Sequence, residues 1–315
     1  MNEYVLAVDL GGTNLRVAAV DLDGRVLHVS KAATPRSNDA DEVVSTIASL
    51  SRECVARTGA AALAFGVAVP ATLDLSTGRI LRAPNLPELD GYLLVDELSR
   101  RLGLRVVIEN DATAAAIGEH WRGASRPVRD SICITLGTGV GGGIIIGDRP
   151  HRGVDGTAGE IGHICVEPLG VPCPCGSNGC LEQYASASAV VRMTKERLEE
   201  HPDSPLNSFS ALTALDVYNA GIAGDSLARD VFSRVGSYLG IVLAGLINVL
   251  NPEMIVIGGG MSSGWQLFVD EVREQIGRRA FERPAARARI TRAELGDLAG
   301  LVGAAHLAIQ AAGRE

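Results

Sequence analysis

At 315 residues the chain is long enough for two domains, and an apolar share of 46% can fill a core in each. A net charge of −8 with no Lys/Arg block speaks against nucleic acid and anionic membrane as partners. The N-terminus runs from Met1 into the apolar Tyr4-Val5-Leu6-Ala7-Val8 without a basic segment or cleavage site, so a cytoplasmic protein without a signal peptide is expected.

Residues 7–20, AVDLGGTNLRVAAV, read as strand, glycine-rich turn, strand, with a second turn at Asp21-Leu22-Asp23-Gly24. Apolar residues at Val43, Val44, Ile47, Leu50 and Cys54 predict a helix over Asp41–Arg57. A strand over Leu63–Val69 stops at Pro70. A helix over Leu93–Leu102, a buried strand over Leu104–Ile108 and a helix over Asp111–Trp121 follow. Residues 133–146, CITLGTGVGGGIII, then repeat the opening pattern, with a turn at Gly147-Asp148-Arg149-Pro150. Helices are predicted over Ala187–Glu200 and Ser226–Leu250, a strand over Met254–Ile257 and a last helix over Ala299–Ala312. The most apolar stretch, Leu239–Leu250, reads as a core helix too short for a bilayer, stopped by Asn251-Pro252.

This is α/β architecture with mixed sheets and a duplicated β-meander. The repeat predicts two related domains: a small one over 1–122, a larger one over 123–298, and a C-terminal helix, 299–315, packing back on the first.

Five constellations carry chemistry. Gly11, Gly12 and Thr13 in one turn, and Gly137, Thr138 and Gly139 in the other, let backbone N–H groups approach phosphate oxygens. Asp9 is placed to hold a water of Mg²⁺. Either turn alone reads equally as a hairpin that needs glycine for positive φ. Asn110 and Asp111 follow a buried strand and open a helix, where α/β sheets bind ligands. There a carboxylate can take the proton of an attacking hydroxyl and Asn110 can donate to or accept from a neighbouring one. Either residue could instead only cap the helix. His163, Cys173, Cys175 and Cys180, spaced H-x9-C-x-C-x4-C, suit a closed structural Zn²⁺ site, a free-thiol loop or a disulfide being the alternatives. Glu160 and Glu182 flank that loop as hydroxyl readers or solvated surface. Cys54, Cys133 and Cys165 read as small core residues. Gly258-Gly259-Gly260 after a strand admits a flat ligand such as adenine, or forms only a loop.

Together AVDLGGTNLRVAAV, ENDATAAAIGE, CITLGTGVGGGIIIG, GTAGEIGHICVEPLGVPCPCGSNGCLEQYAS and NPEMIVIGGGM resemble the ROK family of sugar kinases and repressors, most closely its bacterial glucokinases, over essentially the whole chain. The resemblance implies an actin-like, hexokinase-type (ribonuclease H-like) fold of two domains with a cleft between them. It implies transfer of the ATP γ-phosphoryl to the 6-hydroxyl of a hexose, glucose foremost, with Asp111 as base. Asn85, Asn110, Glu160, His163 and Glu182 match sugar-contacting positions, His163 using one ring nitrogen for zinc and the other for the sugar. Gly11, Gly12, Thr13, Thr138 and Gly139 match the phosphate loops, and Gly258 and Gly259 the adenosine loop. Asn14 and Thr113 depart from the residues common there, Lys and Asn. A homodimer or homotetramer is expected. The family's alternatives are N-acetylglucosamine, N-acetylmannosamine or fructose as substrate, polyphosphate as donor, and a non-catalytic sugar-sensing regulator. Its repressors carry an N-terminal helix-turn-helix, for which a first strand within five residues of Met1 leaves no expected room.

Overall fold

The computed structural model describes residues 3–37 and 39–314. Three strands open the chain: β1 (Tyr4–Leu10), β2 (Asn14–Asp21) and β3 (Val26–Ala33). Helix α1 (Ala40–Thr58) follows, with Asp39 as N-cap and Gly59 as left-handed C-cap. Next come β4 (Phe65–Val69) and the short hairpin β5 (Thr72–Asp74) and β6 (Arg79–Arg82). Then α2 (Leu94–Leu102), β7 (Val106–Asn110) and α3 (Asp111–Arg122) close the first half. The second half repeats the opening with β8 (Ser131–Leu136), β9 (Val140–Ile146) and β10 (Arg149–Pro150). Helices α4 (Glu182–Ala185), α5 (Ala187–Lys195), α6 (Ala214–Ala223) and α7 (Ser226–Leu250) lead to β11 (Met254–Gly258). The chain ends with α8 (Trp265–Arg279), α9 (Glu282–Arg287), β12 (Arg289–Arg292) and α10 (Ala299–Ala311).

The sheet orders are β3-β2-β1-β4-β7 and β10-β9-β8-β11-β12, the same pattern twice. In the first sheet β2 pairs antiparallel with β1 and β3, while β4 lies parallel to β1 and β7. In the second, β11 lies parallel to both β8 and β12. The repeat seen in the residues is therefore a repeat of topology.

The chain forms two compact units. The first holds the residues up to Arg129, Gly143–Gly159 and those from Glu294 onward; the second holds Asp130–Gly142 and Glu160–Ala293. Strand alternation builds the first unit's two cores. Tyr4, Leu6, Val8 and Leu10 of β1 pack with Val43, Val44 and Ile47 of α1, whereas Val5 and Ala7 face Leu301, Ala304 and Ala308 of α10. That second face is built from small residues, so α10 lies very close. A Cβ on Gly66 would fall 1.9 Å from the Ala304 carbonyl oxygen, and one on Gly303 would fall 1.8 Å from that of Ala114. Helix α10 thereby buttresses β1 and α3, the elements that carry Asp9 and Asp111.

Two expectations need correction. Helix α5 ends at Lys195, with Glu196 as C-cap, and only a single 3-10 turn at Leu198–Glu200 continues toward the expected end. Helix α7 is 25 residues long and by length and composition could cross a membrane, so the argument from shortness fails. What marks it as a core helix is its buried stripe of Leu227, Val231, Val235, Leu239, Leu243 and Ile247. Its glycines bring α8 in close: a Cβ on Gly240 would lie 2.6 Å from the Gln275 Cβ.

Candidate active site

In the first unit the site begins where β7 passes into α3. Asn110 is the N-cap, with extended backbone, and its Oδ1 accepts from the N–H groups of Ala112 at 3.0 Å and Thr113 at 3.1 Å. Its Nδ2 donates to the Ala71 carbonyl at 3.3 Å. Asn110 can therefore offer a ligand one N–H; the accepting role open to it in the sequence is already taken. Asp111 is the first helical residue, half-buried, with Oδ1 accepting from the Ala112 N–H at 2.8 Å. Asn110 is thus the cap, and Asp111 shares the Ala112 N–H with it from inside the first turn.

Beside them lies a pair that sequence reasoning missed. Glu109 is 2% exposed; its Oε1 accepts from the Asn110 N–H at 3.0 Å and its Oε2 from Arg152 Nε at 2.7 Å. Burial pushes its carboxyl above the ordinary value, and the Arg152 guanidinium opposes this. The pair fixes the peptide that carries Asn110. Glu109 was legible as part of a motif, but Arg152, 43 positions away, gave no local signal.

The first of the predicted phosphate turns is closed by the Gly11 N–H donating to the Asn14 carbonyl at 2.9 Å, and by the Thr34 hydroxyl donating to the Gly11 carbonyl at 2.6 Å. A Cβ on Gly12 would lie 3.0 Å from the Asn85 Cβ, so the turn and Asn85 touch. None of Gly11, Gly12, Gly137 and Gly139 has positive φ, which removes the hairpin explanation for their being glycine. Close approach explains three of them, and a Cβ on Gly137 would meet open space. Asp9, next to last in β1, lies opposite Arg16 of β2, and Arg16 also donates to the Asp297 carbonyl at 3.0 Å. Burial pushes the Asp9 carboxyl up; the Arg16 charge draws it down and Asp297 pushes it up again.

In the second unit the four predicted ligands come together. The ligand atoms of His163, Cys173, Cys175 and Cys180 lie within 4.8 Å of one another. Cys173 Sγ is 3.6 Å from His163 Nδ1, and Cys175 Sγ is 3.6 Å from Cys180 Sγ. A tetrahedral ion with ligands at about 2.0–2.3 Å has edges of about 3.3–3.8 Å, so these two edges match such an ion, and the donor set is the one zinc takes. With Nδ1 turned to the thiols, His163 Nε2 is left facing Glu160 at 3.9 Å. The thiols are unbridged, and Cys54 and Cys133 are buried as expected. Cys165 is exposed, contrary to its reading as a core residue, although its backbone pairs with that of the buried Cys180.

Glu182 leaves this loop and reaches the second predicted phosphate turn, where its Oε2 accepts from the Val140 N–H at 3.0 Å. The predicted adenosine loop meets the same turn. Gly259 has φ of 80°, and its added Cβ would lie 2.3 Å from the Leu136 carbonyl oxygen, just before Gly137. Gly258 is closed off by Ala293, 2.9 Å from its added Cβ.

A doubled meander with glycine turns, a carboxylate at a strand-to-helix junction and a Cys₃His loop define a class of phosphate-handling sugar proteins. The chain matches the ROK family over residues 5–311, and it belongs to that family. It is 36% identical to a glucokinase of Halalkalibacterium halodurans, over 98% of this chain and 96% of that one. It is 39% identical to a ROK glucokinase of Streptomyces griseus whose crystal structure holds glucose and AMPPNP, with a TM-score of 0.85, covering 98% and 99% of the two chains. A ROK transcriptional regulator homologous to the E. coli MLC protein is 28% identical, with a TM-score of 0.90 over 99% of this chain and 78% of that one. The fold is thus the actin-like, hexokinase type of the ROK kinases.

Proposed function

We propose that the protein is a ROK hexose kinase that transfers the γ-phosphoryl of ATP to the 6-hydroxyl of glucose. The observation that carries this reading is the division of labour at the β7–α3 junction: Asn110 caps the helix, and Asp111 stands beside it at the helix N-terminus, where an anion is favoured. A carboxylate so held can orient a sugar hydroxyl and take its proton as the oxygen attacks phosphorus. Asn85 and Asn110 in the first unit, and Glu160, His163 and Glu182 in the second, are assigned to the other hydroxyls. Gly11, Gly12, Thr13, Thr138 and Gly139 are assigned to the phosphates, and Gly258 and Gly259 to adenosine. Support comes from the glucokinase relatives and from glucose and AMPPNP in the S. griseus enzyme.

Mg²⁺ arriving with the nucleotide supplies charge neutralisation on the phosphoryl oxygens, and Asp9 would hold one of its waters. Zn²⁺ is the ion that a Cys₃His donor set suits, and as a closed set it would be structural. Thiols kept as ligands rather than disulfides suit a reducing cytoplasm.

The regulator with the same fold gives the second reading, since a fold does not fix an activity. A coupled phosphorylation assay with ATP or polyphosphate, over glucose, N-acetylglucosamine, N-acetylmannosamine and fructose, separates them. The expected result is ATP-dependent turnover with the highest kcat/KM for glucose. Turnover of no sugar would overturn the kinase reading and favour the regulator.

A further inference from the structure

The second phosphate turn does not hold itself in place. Its closing bond, from the Gly137 N–H to the Gly139 carbonyl at 2.9 Å, leaves two other carbonyls to be fixed from outside. Both are fixed by the start of α5. The Ala187 N–H donates to the Gly137 carbonyl at 2.8 Å, and the Ser188 hydroxyl donates to the Thr138 carbonyl at 3.1 Å. In a trans peptide the carbonyl and the following N–H point in opposite directions. Drawing the Gly137 carbonyl toward α5 therefore turns the Thr138 N–H away from it. Drawing the Thr138 carbonyl there does the same to the Gly139 N–H. Two successive N–H groups presented on one side are the geometry of an anion nest.

Glu182 completes the support. Its Oε2 takes the next amide in line, that of Val140, at 3.0 Å. The same oxygen occupies the place of a side chain at Gly139, where an added Cβ would lie 2.3 Å from it. Gly139 is glycine because Glu182 stands there. On the other side, Gly162 backs against the Val140 carbonyl oxygen, which would be 2.1 Å from an added Cβ. Every one of these supports belongs to the chain entering or leaving the cysteine loop.

We infer that Glu182 and Ser188 are positioning residues for the second phosphate turn, so that the segment leaving the cysteine loop sets nucleotide affinity as well as sugar affinity. The inference rests on the sugar-kinase reading and gives Glu182 a second task within it.

Calorimetric titration with Mg²⁺-AMPPNP in the absence of sugar, and with glucose in the absence of nucleotide, tests it. Ser188→Ala is expected to weaken nucleotide binding about five-fold while glucose binding stays within about two-fold of wild type. Glu182→Ala is expected to weaken both ligands, nucleotide by about ten-fold. Glu182→Gln, whose amide oxygen can still accept from Val140, is expected to restore most of the nucleotide affinity. Gly139→Ala is expected to weaken nucleotide binding in the wild-type background and to add nothing in Glu182→Ala, where the clash is gone. Wild-type nucleotide affinity in both Ser188→Ala and Glu182→Ala would overturn the inference. Should Glu182→Ala fail to fold, Ser188→Ala and Gly139→Ala decide in the same way. A wild-type protein that binds neither ligand would overturn the sugar-kinase reading, and the inference with it.

Discussion

Asp111 and Glu109 are two carboxylates two positions apart with different environments. Asp111 is half-buried at a helix N-terminus, and its assigned role as base predicts a kinetic split. Asp111→Asn keeps the shape and the polar contacts but not the basicity, so glucose affinity should hold while kcat falls by about two orders of magnitude. A kcat within a few-fold of wild type would remove Asp111 from the base role. Glu109 is nearly sealed, and burial outweighs Arg152 in setting its proton affinity upward from 4.5. Between that value and its higher folded one, the folded state binds more protons than the unfolded state, so stability falls as pH rises through the interval. Glu109→Gln has no such dependence. The thermal midpoint of the wild type relative to Glu109→Gln should therefore drop as pH rises from about 4.5, and a flat difference would contradict the burial argument.

Among the elements, α3 carries a second buried carboxylate with a structural task. Glu119 is fully buried; its Oε2 accepts from the Ala124 N–H at 2.8 Å and the Glu294 N–H at 3.1 Å, and its Oε1 from the Leu295 N–H at 2.8 Å. One side chain thus ties the end of α3 to the segment that leads into α10. Glu119→Gln would set an NH₂ group against one of these donors, costing about 3 kcal/mol locally. Hydrogen exchange at Ala124, Glu294 and Leu295 should then quicken by about 100-fold, and unchanged protection would show that the clamp carries no strength. None of this was legible in the sequence, because Glu119 and Leu295 are 176 positions apart. The same distance problem hid Arg152 from Glu109 and Val140 from Glu182. What was legible is local: the period of β1 and β2, the caps of α3, the glycine turns and the spacing of the cysteine loop. The hairpin β5–β6 escaped because strands of three and four residues carry too little alternation to register. Helix α7 was legible as a core helix, but the close approach of α8 at Gly240 is supplied only by the folded chain.

At the scale of the whole molecule, the two sheets share one strand order, but the cysteine loop belongs only to the second unit and interrupts the repeat. An insertion with glycines at positive φ (Gly176 at 95° and Gly179 at 66°) and three unbridged thiols has little apolar surface with which to fold itself. An ion held by His163, Cys173, Cys175 and Cys180 would supply that folding energy, since such sites form only with metal bound. The choice of residue for the test follows from burial. Cys173 and Cys180 are buried, so replacing either disturbs packing as well as ligation, whereas Cys175 is exposed. Cys175→Ser therefore isolates the loss of one ligand. Elemental analysis of the wild type should find about one zinc per chain, and of Cys175→Ser far less. Because His163 would then lose the partner that fixes its Nδ1, and Glu182 the loop that carries it, the glucose KM should rise about ten-fold or more. A wild-type protein free of zinc, or a zinc-free Cys175→Ser with wild-type sugar kinetics, would separate the cysteine loop from the sugar site.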